Sequence, residues 1–248
     1  MLTRLNVRHR PGRPSRSGAK HSSGGGSSFS GPLDLVWEHL WWAGGPAMTA
    51  LGLADGAEVL TFPDEVGGLD ATQVSATTGR FDVEWAAGNN APAIELVGGN
   101  GLRSAARAVN LPQPFSTVVI GAFSNLAAVK QLIDGRDSTP RVSIGLSSGP
   151  LYHGSAPTDE SLDSNPYHAV ALWSGTSGAV ELGGVLQTSQ NTGTPQFEGI
   201  SIGTRYDNSN DALGHVALVG IAAGDVRNQG NWAAYQAWVT ATYGIVIE

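Results

Sequence analysis

Residues 166–223 leave room for little except short strands. The segments 167–173, 179–186, 199–203 and 214–221 are rich in Val, Ile, Leu and Ala, and clusters of Gly, Ser, Thr, Asn, Asp or Pro at 174–178, 188–195 and 207–211 separate them. Such clusters supply turn geometry, and strands recurring at this spacing without long helices between them predict antiparallel sheets packed face to face. The fold class read from this stretch is all-β, a two-sheet sandwich.

The chain of 248 residues is long enough to bury the core of one large all-β domain. It has no cysteine, so disulfides and thiolate metal sites contribute nothing. Charged residues are only 14% of the chain and Gly fills 34 positions, a composition that suits a sandwich with many turns and a Ser/Thr/Asn-rich surface. A surface of that kind favours neutral, hydroxylated partners. The formal net charge of -7 hides an asymmetry, because Arg4, Arg8, Arg10, Arg13, Arg16 and Lys20 all precede the first acidic residue, Asp34. Residues 1–32 combine these cations with Pro, Gly and Ser, bury too little to offset ordering, and read as a flexible basic arm or linker ahead of a domain at 33–248. An arm of this charge can anchor the protein to an acidic partner or stay solvated. No aromatic precedes Phe29, so the arm lacks rings for base stacking, and no sequence-specific nucleic-acid partner is expected. Neither a membrane-spanning run nor the apolar core of a signal peptide is present, so membrane insertion is not expected.

Along the rest of the chain, Leu33, Val36, Trp37, Leu40 and Trp41 follow helical spacing and predict a short helix stopped by Gly44-Gly45-Pro46, its aromatics serving core or interface. Asp64 and Asp70 stand among glycines and read as turn formers. In 81–85, Asp82 and Glu84 should share one strand face, with Phe81, Val83 and Trp85 on the other. Two neighbouring carboxylates on a solvated face lack the burial that splits an acid from a base, which argues against a glycosidase pair there. Residues 111–123 predict a central apolar strand, and 131–133 and 141–146 predict further strands flanking a polar loop in which Arg136 either serves a ligand or pairs with Asp134 or Asp137. Residues 145–149 fit a G-x-S-x-G expression but lack the helix that a nucleophile elbow needs. The histidines show no metal spacing, and those at His168 and His215 read as satisfied structural residues within strands. Residues 207–211 fall short of a calcium loop, leaving a Ca²⁺ contact from Asp207, Asn208 or Asn210 as a minor alternative to a tight polar turn. From 228 to 243 the period turns helical, with Trp232, Tyr235, Trp238, Val239 and Tyr243 on one face, Asn228 or Asn231 available as cap and Gly244 as terminator.

The strand ending in Trp173, a following hairpin whose turn carries the Gly183-Gly184 pair ahead of Val185, the run from Ile200 to Asp207 and the run from Gly214 to Ile221 resemble the concanavalin A-like lectin/glucanase jelly roll in its laminin G-like form. The stretch 132–137 and the closing 232–245 are similar to a version common in bacteriophage virion proteins, with a terminal helix. The resemblance covers roughly residues 33 to 248. It implies a jelly roll whose polar loops meet host-surface glycans, displayed by a non-enzymatic virion component: a minor tail, fibre or capsid-surface protein, located in the virion and held there by its basic arm. The hydrolases of this superfamily carry an E-x-D-x-x-E or E-x-D-x-E run that is absent here, so the expectation is no catalytic residue and no enzyme. A laminarinase-like glycan hydrolase and a purely structural subunit-contact module are the alternatives. The ligand candidates are Arg136, Tyr152, Trp173, Tyr206 and Asn208, residue types that stack a sugar ring or satisfy its hydroxyls. No cofactor is expected beyond the possible Ca²⁺. Expected partners are other virion proteins, host carbohydrate and further copies of the chain in a homo-oligomer.

Overall fold

The computed structural model describes residues 29–247 apart from 75–78, 100, 127–129, 138–141, 147–149, 154–155 and 162–163. Residues 1–28 of the basic arm, with all six of its Arg and Lys side chains, and the last three positions of the G-x-S-x-G match lie outside the described residues. Two antiparallel sheets, each 8-stranded, pack face to face. The first runs β14 (Val185–Gln190), β13 (Gly178–Leu182), β12 (Tyr167–Trp173), β7 (Phe115–Phe123), β16 (Leu213–Ala223), β5 (Ala91–Val97) and β4 (Gly79–Trp85), with β1 (His39–Trp42) pairing to the far half of β16. The second runs β11 (Ala156–Ser161), β10 (Pro150–His153), β9 (Ile144–Leu146), β8 (Lys130–Gly135), β15 (Ile200–Ile202), β6 (Leu102–Ser104), β3 (Ala71–Gln73) and β2 (Thr61–Phe62). Among the described residues the α-helices are a short α1 (Pro46–Ala50) and one main helix, α2 (Trp232–Tyr243), beside four 3-10 turns.

The predicted central strand is β7, which is buried along its whole length between β12 and β16. Alternation explains its unbroken apolar run. Phe115, Val119 and Phe123 face the second sheet, while Val118, Ile120 and Ala122 face outward into a separate apolar layer. A strand covered on both faces has no solvated side to mark with polar residues. The outer layer is supplied by α2, whose Trp232, Tyr235, Val239 and Tyr243 are buried against the sheet. Each such side chain removed from water contributes roughly 1.5–3 kcal/mol. Gly244 ends α2 at φ 69, and the Asn231 amide donates to the carbonyl of Asp34 at 3.1 Å instead of capping the helix.

Three local expectations are corrected. The helix predicted after Pro32 is a single 3-10 turn, Pro32–Asp34, followed by β1. Adjacent residues there enter opposite layers, Leu40 the outer and Trp41 the inner, which is strand alternation and is incompatible with one helical face. Trp37 lies across Gly220 of β16, where an added Cβ would come within 2.5 Å of its ring, so the missing side chain is what seats the indole. In β4 a register shift between Asp82 and Trp85 turns Trp85 to the outer layer while Phe81 stays in the inner one. A bulge of this kind breaks the simple alternation read from the sequence. Finally, residues 179–186, one strand by composition, are two, β13 and β14, joined through Gly183 and Gly184 at φ 56 and 92, which is the hairpin that the family resemblance implies.

Candidate functional site

The outer layer covers the middle of the first sheet, whereas among the described residues the outer side of the second carries polar side chains. Its strands alternate: Leu102, Ile133, Ile200 and Ile202 point into the core, which turns Arg103, Asp134 and Ser201 outward. Pairing sets these in one row across the sheet, Asp134 beside Ser201, Ser201 beside Arg103, and Arg103 beside Thr72.

The chain leaving β15 folds back over this row. Arg103 donates from Nε to the Ser201 hydroxyl at 3.1 Å, and from Nη2 to the Tyr206 carbonyl at 2.6 Å and to Asn208 Oδ1 at 2.7 Å. From the other side, Asp134 Oδ2 accepts the Tyr206 N–H at 3.2 Å while its Oδ1 accepts from Gly135 at 2.8 Å. Thus a buried carboxylate and a half-buried guanidinium fix the loop backbone. Asn208 adopts φ 61, a left-handed conformation that Asn tolerates, and the Asp207 carboxylate accepts from the Ser209 N–H and hydroxyl. Those bonds depress the Asp207 pKa, the Ser209 hydroxyl most. The Arg205 guanidinium sits 5.0 Å from the centre of the Tyr206 ring and 3.4 Å from Asp207.

Arg136 stands at the end of β8 on the same face. Its N–H donates to Gly199, its guanidinium pairs with Asp137 at 3.0 Å, and its stem passes over Gly199. That glycine has φ +149, and a Cβ on it would come within 2.7 Å of the Ala105 carbonyl and 3.2 Å of Arg136 Cδ, so only glycine leaves this path open. Burial lowers the Arg103 pKa from its usual value and the nearby charge of Arg136 pushes the same way, while Asp137, Asp134 and Asp207 oppose them. All four charges therefore surround one guanidinium.

Arg136, Tyr206 and Asn208, three of the five ligand candidates, lie around Arg103. Trp173 is not with them. It is fully buried in the first sheet, stacked on Phe115 at 6.0 Å with its indole N–H donating to Thr117 Oγ1, so it offers no face to a ligand. Tyr152 stands on β10 of the second sheet, and its side chain lies outside the described residues. Arg103 was not legible as a site residue. Its signal is a lone cation on a short strand between the apolar Leu102 and the buried Ser104.

Two other polar clusters are structural. Asp64 accepts from His39 Nδ1 at 2.6 Å and from the N–H groups of Leu40, Gly67 and Leu69. Burial pushes its pKa up, but these donors prevail and hold it at about 2. The turn role read for Asp64 is what the structure shows. His215 bonds Asp82 at 3.1 Å and stacks on Trp85, whereas His168, expected to be satisfied, is buried between Trp232 and Tyr235 with no partner for either nitrogen among the described residues. Among the described residues no group of three or more His, Cys, Asp or Glu could hold a metal ion.

No protein-family model matches the chain, and no curated protein matches it in sequence. Solved structures of like fold include a Trypanosoma rangeli sialidase in complex with 2,3-difluoro-KDN, at TM-score 0.54 and 13% identity over 92% of this chain and 36% of that one. Domain 4 of a GH43 extracellular arabinanase from Geobacillus stearothermophilus, in complex with arabinotriose, matches at TM-score 0.53 and 14% identity over 77% of this chain and 94% of that domain. An arabinofuranosidase complexed with arabinofuranosyl-alpha-1,2-xylobiose matches at TM-score 0.55 and 16% identity over 88% of this chain and 60% of that one. The chain thus spans about a third of the sialidase and under two thirds of the arabinofuranosidase. At these identities the likeness establishes a shared all-β sandwich fold. Its direction corrects two expectations, that of a non-enzymatic virion component and that of no enzyme, because the neighbours are glycoside hydrolases.

Proposed function

We propose that the chain is a glycan-handling β-sandwich of the glycoside-hydrolase kind, holding a saccharide on the outer face of its second sheet between the Arg136–Asp137 turn and the 205–208 loop. The observation that carries this is the clamping of Tyr206 and Asn208 by Arg103 and Asp134, beside Arg136, on the outer side of the second sheet. A rigid platform with an aromatic ring and several donors and acceptors is what sugar recognition uses. The likeness to an arabinanase domain solved with arabinotriose, over nearly all of that domain, supports the same reading. The concanavalin A-like jelly-roll label belongs to this proposal too, on the strength of the sequence resemblance and the two facing antiparallel sheets.

The test is calorimetric titration of the full chain with pentose and hexose oligosaccharides, paired with analysis of released sugars. Binding is expected, and Tyr206→Ala with Asn208→Ala should weaken it by about tenfold or more, the usual consequence of removing a stacking ring and a fixed amide. Release of smaller sugars, lost in an Asp137→Asn/Asp207→Asn variant, would place hydrolysis on this face. Saccharide binding untouched by the Tyr206/Asn208 changes would place the site elsewhere.

A further inference from the structure

The charges on this face are arranged in matched pairs. Among the described residues the face carries the guanidiniums of Arg103, Arg136 and Arg205 and the carboxylates of Asp134, Asp137 and Asp207. Arg103 and Asp134 are spent on the loop backbone. The other four form two ion pairs, Arg136–Asp137 at 3.0 Å and Arg205–Asp207 at 3.4 Å, each partly exposed and each on a loop flanking the central row. Asp211, whose carboxylate accepts from the Thr204 hydroxyl at 2.7 Å, adds negative charge at the base of the 205–208 loop.

We propose that the ligand of this face is an uncharged oligosaccharide, gripped through the vicinal hydroxyls of two sugar units, one at each Arg–Asp pair. A sugar hydroxyl is both donor and acceptor, so adjacent hydroxyls can give one proton to a carboxylate and accept another from the guanidinium beside it. An isolated arginine would select for a carboxylate or sulfate. Here each exposed arginine has an aspartate within ion-pair distance, so an anionic sugar brought to the guanidinium meets a carboxylate of its own sign. The stacking of Arg205 on the Tyr206 ring fixes one pair in place. The charges named sum to a single negative one, so a neutral sugar gains little attraction over distance, and its binding depends on short-range hydrogen bonds that salt does not screen.

This inference rests on the face being the glycan site, and the experiment separates the two. The full chain is titrated with neutral pentose and hexose trisaccharides and with uronic-acid trisaccharides of the same lengths, at low and at high salt. Neutral ligands are expected to bind at least about tenfold more tightly than uronates, with less than about a twofold change in affinity between about 50 and 500 mM NaCl. The Asp137→Asn/Asp207→Asn variant keeps the side-chain shapes, leaves the arginines unopposed and should narrow the gap by strengthening uronate binding. A wild-type preference for uronates that Arg136→Gln abolishes would overturn the inference while leaving the site intact, as would neutral-sugar affinity that falls several-fold with salt. Silence towards both panels would overturn the reading of the face itself.

Discussion

Arg103 shows how one side chain can decide the shape of a surface it barely occupies. Its guanidinium spends its donors on Ser201, Tyr206 and Asn208, and these bonds hold the loop down. Lysine keeps the charge but not the planar fork. Arg103→Lys should therefore cost about 1–2 kcal/mol of stability by denaturant titration and lower saccharide affinity, with Arg136 and Asp137 untouched. Asp64 makes a prediction of its own. Its folded pKa of about 2 lies below the usual 3.8, so it stabilises the fold above pH about 4 and loses that contribution as pH falls through about 2. Asp64→Asn should remove about 2 kcal/mol near neutral pH and flatten that acid limb, measured by urea unfolding between pH 2 and 7. The sequence marks both aspartate turns and the polar 207–211 loop, because Asp and Gly announce their backbone role locally. It does not mark Arg103, whose partners lie about a hundred residues away and become neighbours only once β6 pairs with β15.

At the level of the element, α2 docks on the first sheet over a histidine that has no hydrogen-bond partner among the described residues. Burial depresses the His168 pKa to about 3, against the usual value of 6.5. The unfolded chain therefore takes up a proton that the folded one refuses, and stability declines as pH drops from about 6.5 toward 3. In His168→Leu that decline should shrink by a few kcal/mol at pH 4, read from thermal or urea unfolding as a function of pH. At β1 the seat of Trp37 depends on Gly220, where even a methyl group would overlap the ring. Gly220→Ala should destabilise by about 1–3 kcal/mol, an overpacking cost, while leaving saccharide binding on the far sheet unchanged. The strands and the terminal helix are legible because periods of two and of 3.6 survive in the sequence. The segment around β1 is not, since tryptophans entering two layers in succession imitate helical spacing.

At the scale of the molecule, the described residues form a second sheet with a polar outer side partly roofed by the 205–208 loop, a shared core, and a first sheet under a helical and aromatic coat. Phe115, Trp173 and Phe197 meet within the shared core, joining residues that belong to or border both sheets. The two sheets should accordingly lose amide-exchange protection together in one cooperative transition, and a stage with only one sheet protected would contradict that shared core. The two-sheet plan was legible from turn spacing alone. Which sheet carries the coat was not, because that coat is assembled from segments at opposite ends of the described chain, Leu35 and Trp37 with Trp232 to Ile245. That coat gives the body a back and a front. If it is tethered by residues on the solvent side of α2, such as Ala237 or Thr240, the opposite surface stays turned to the medium, so immobilised protein should capture sugars as well as free protein does.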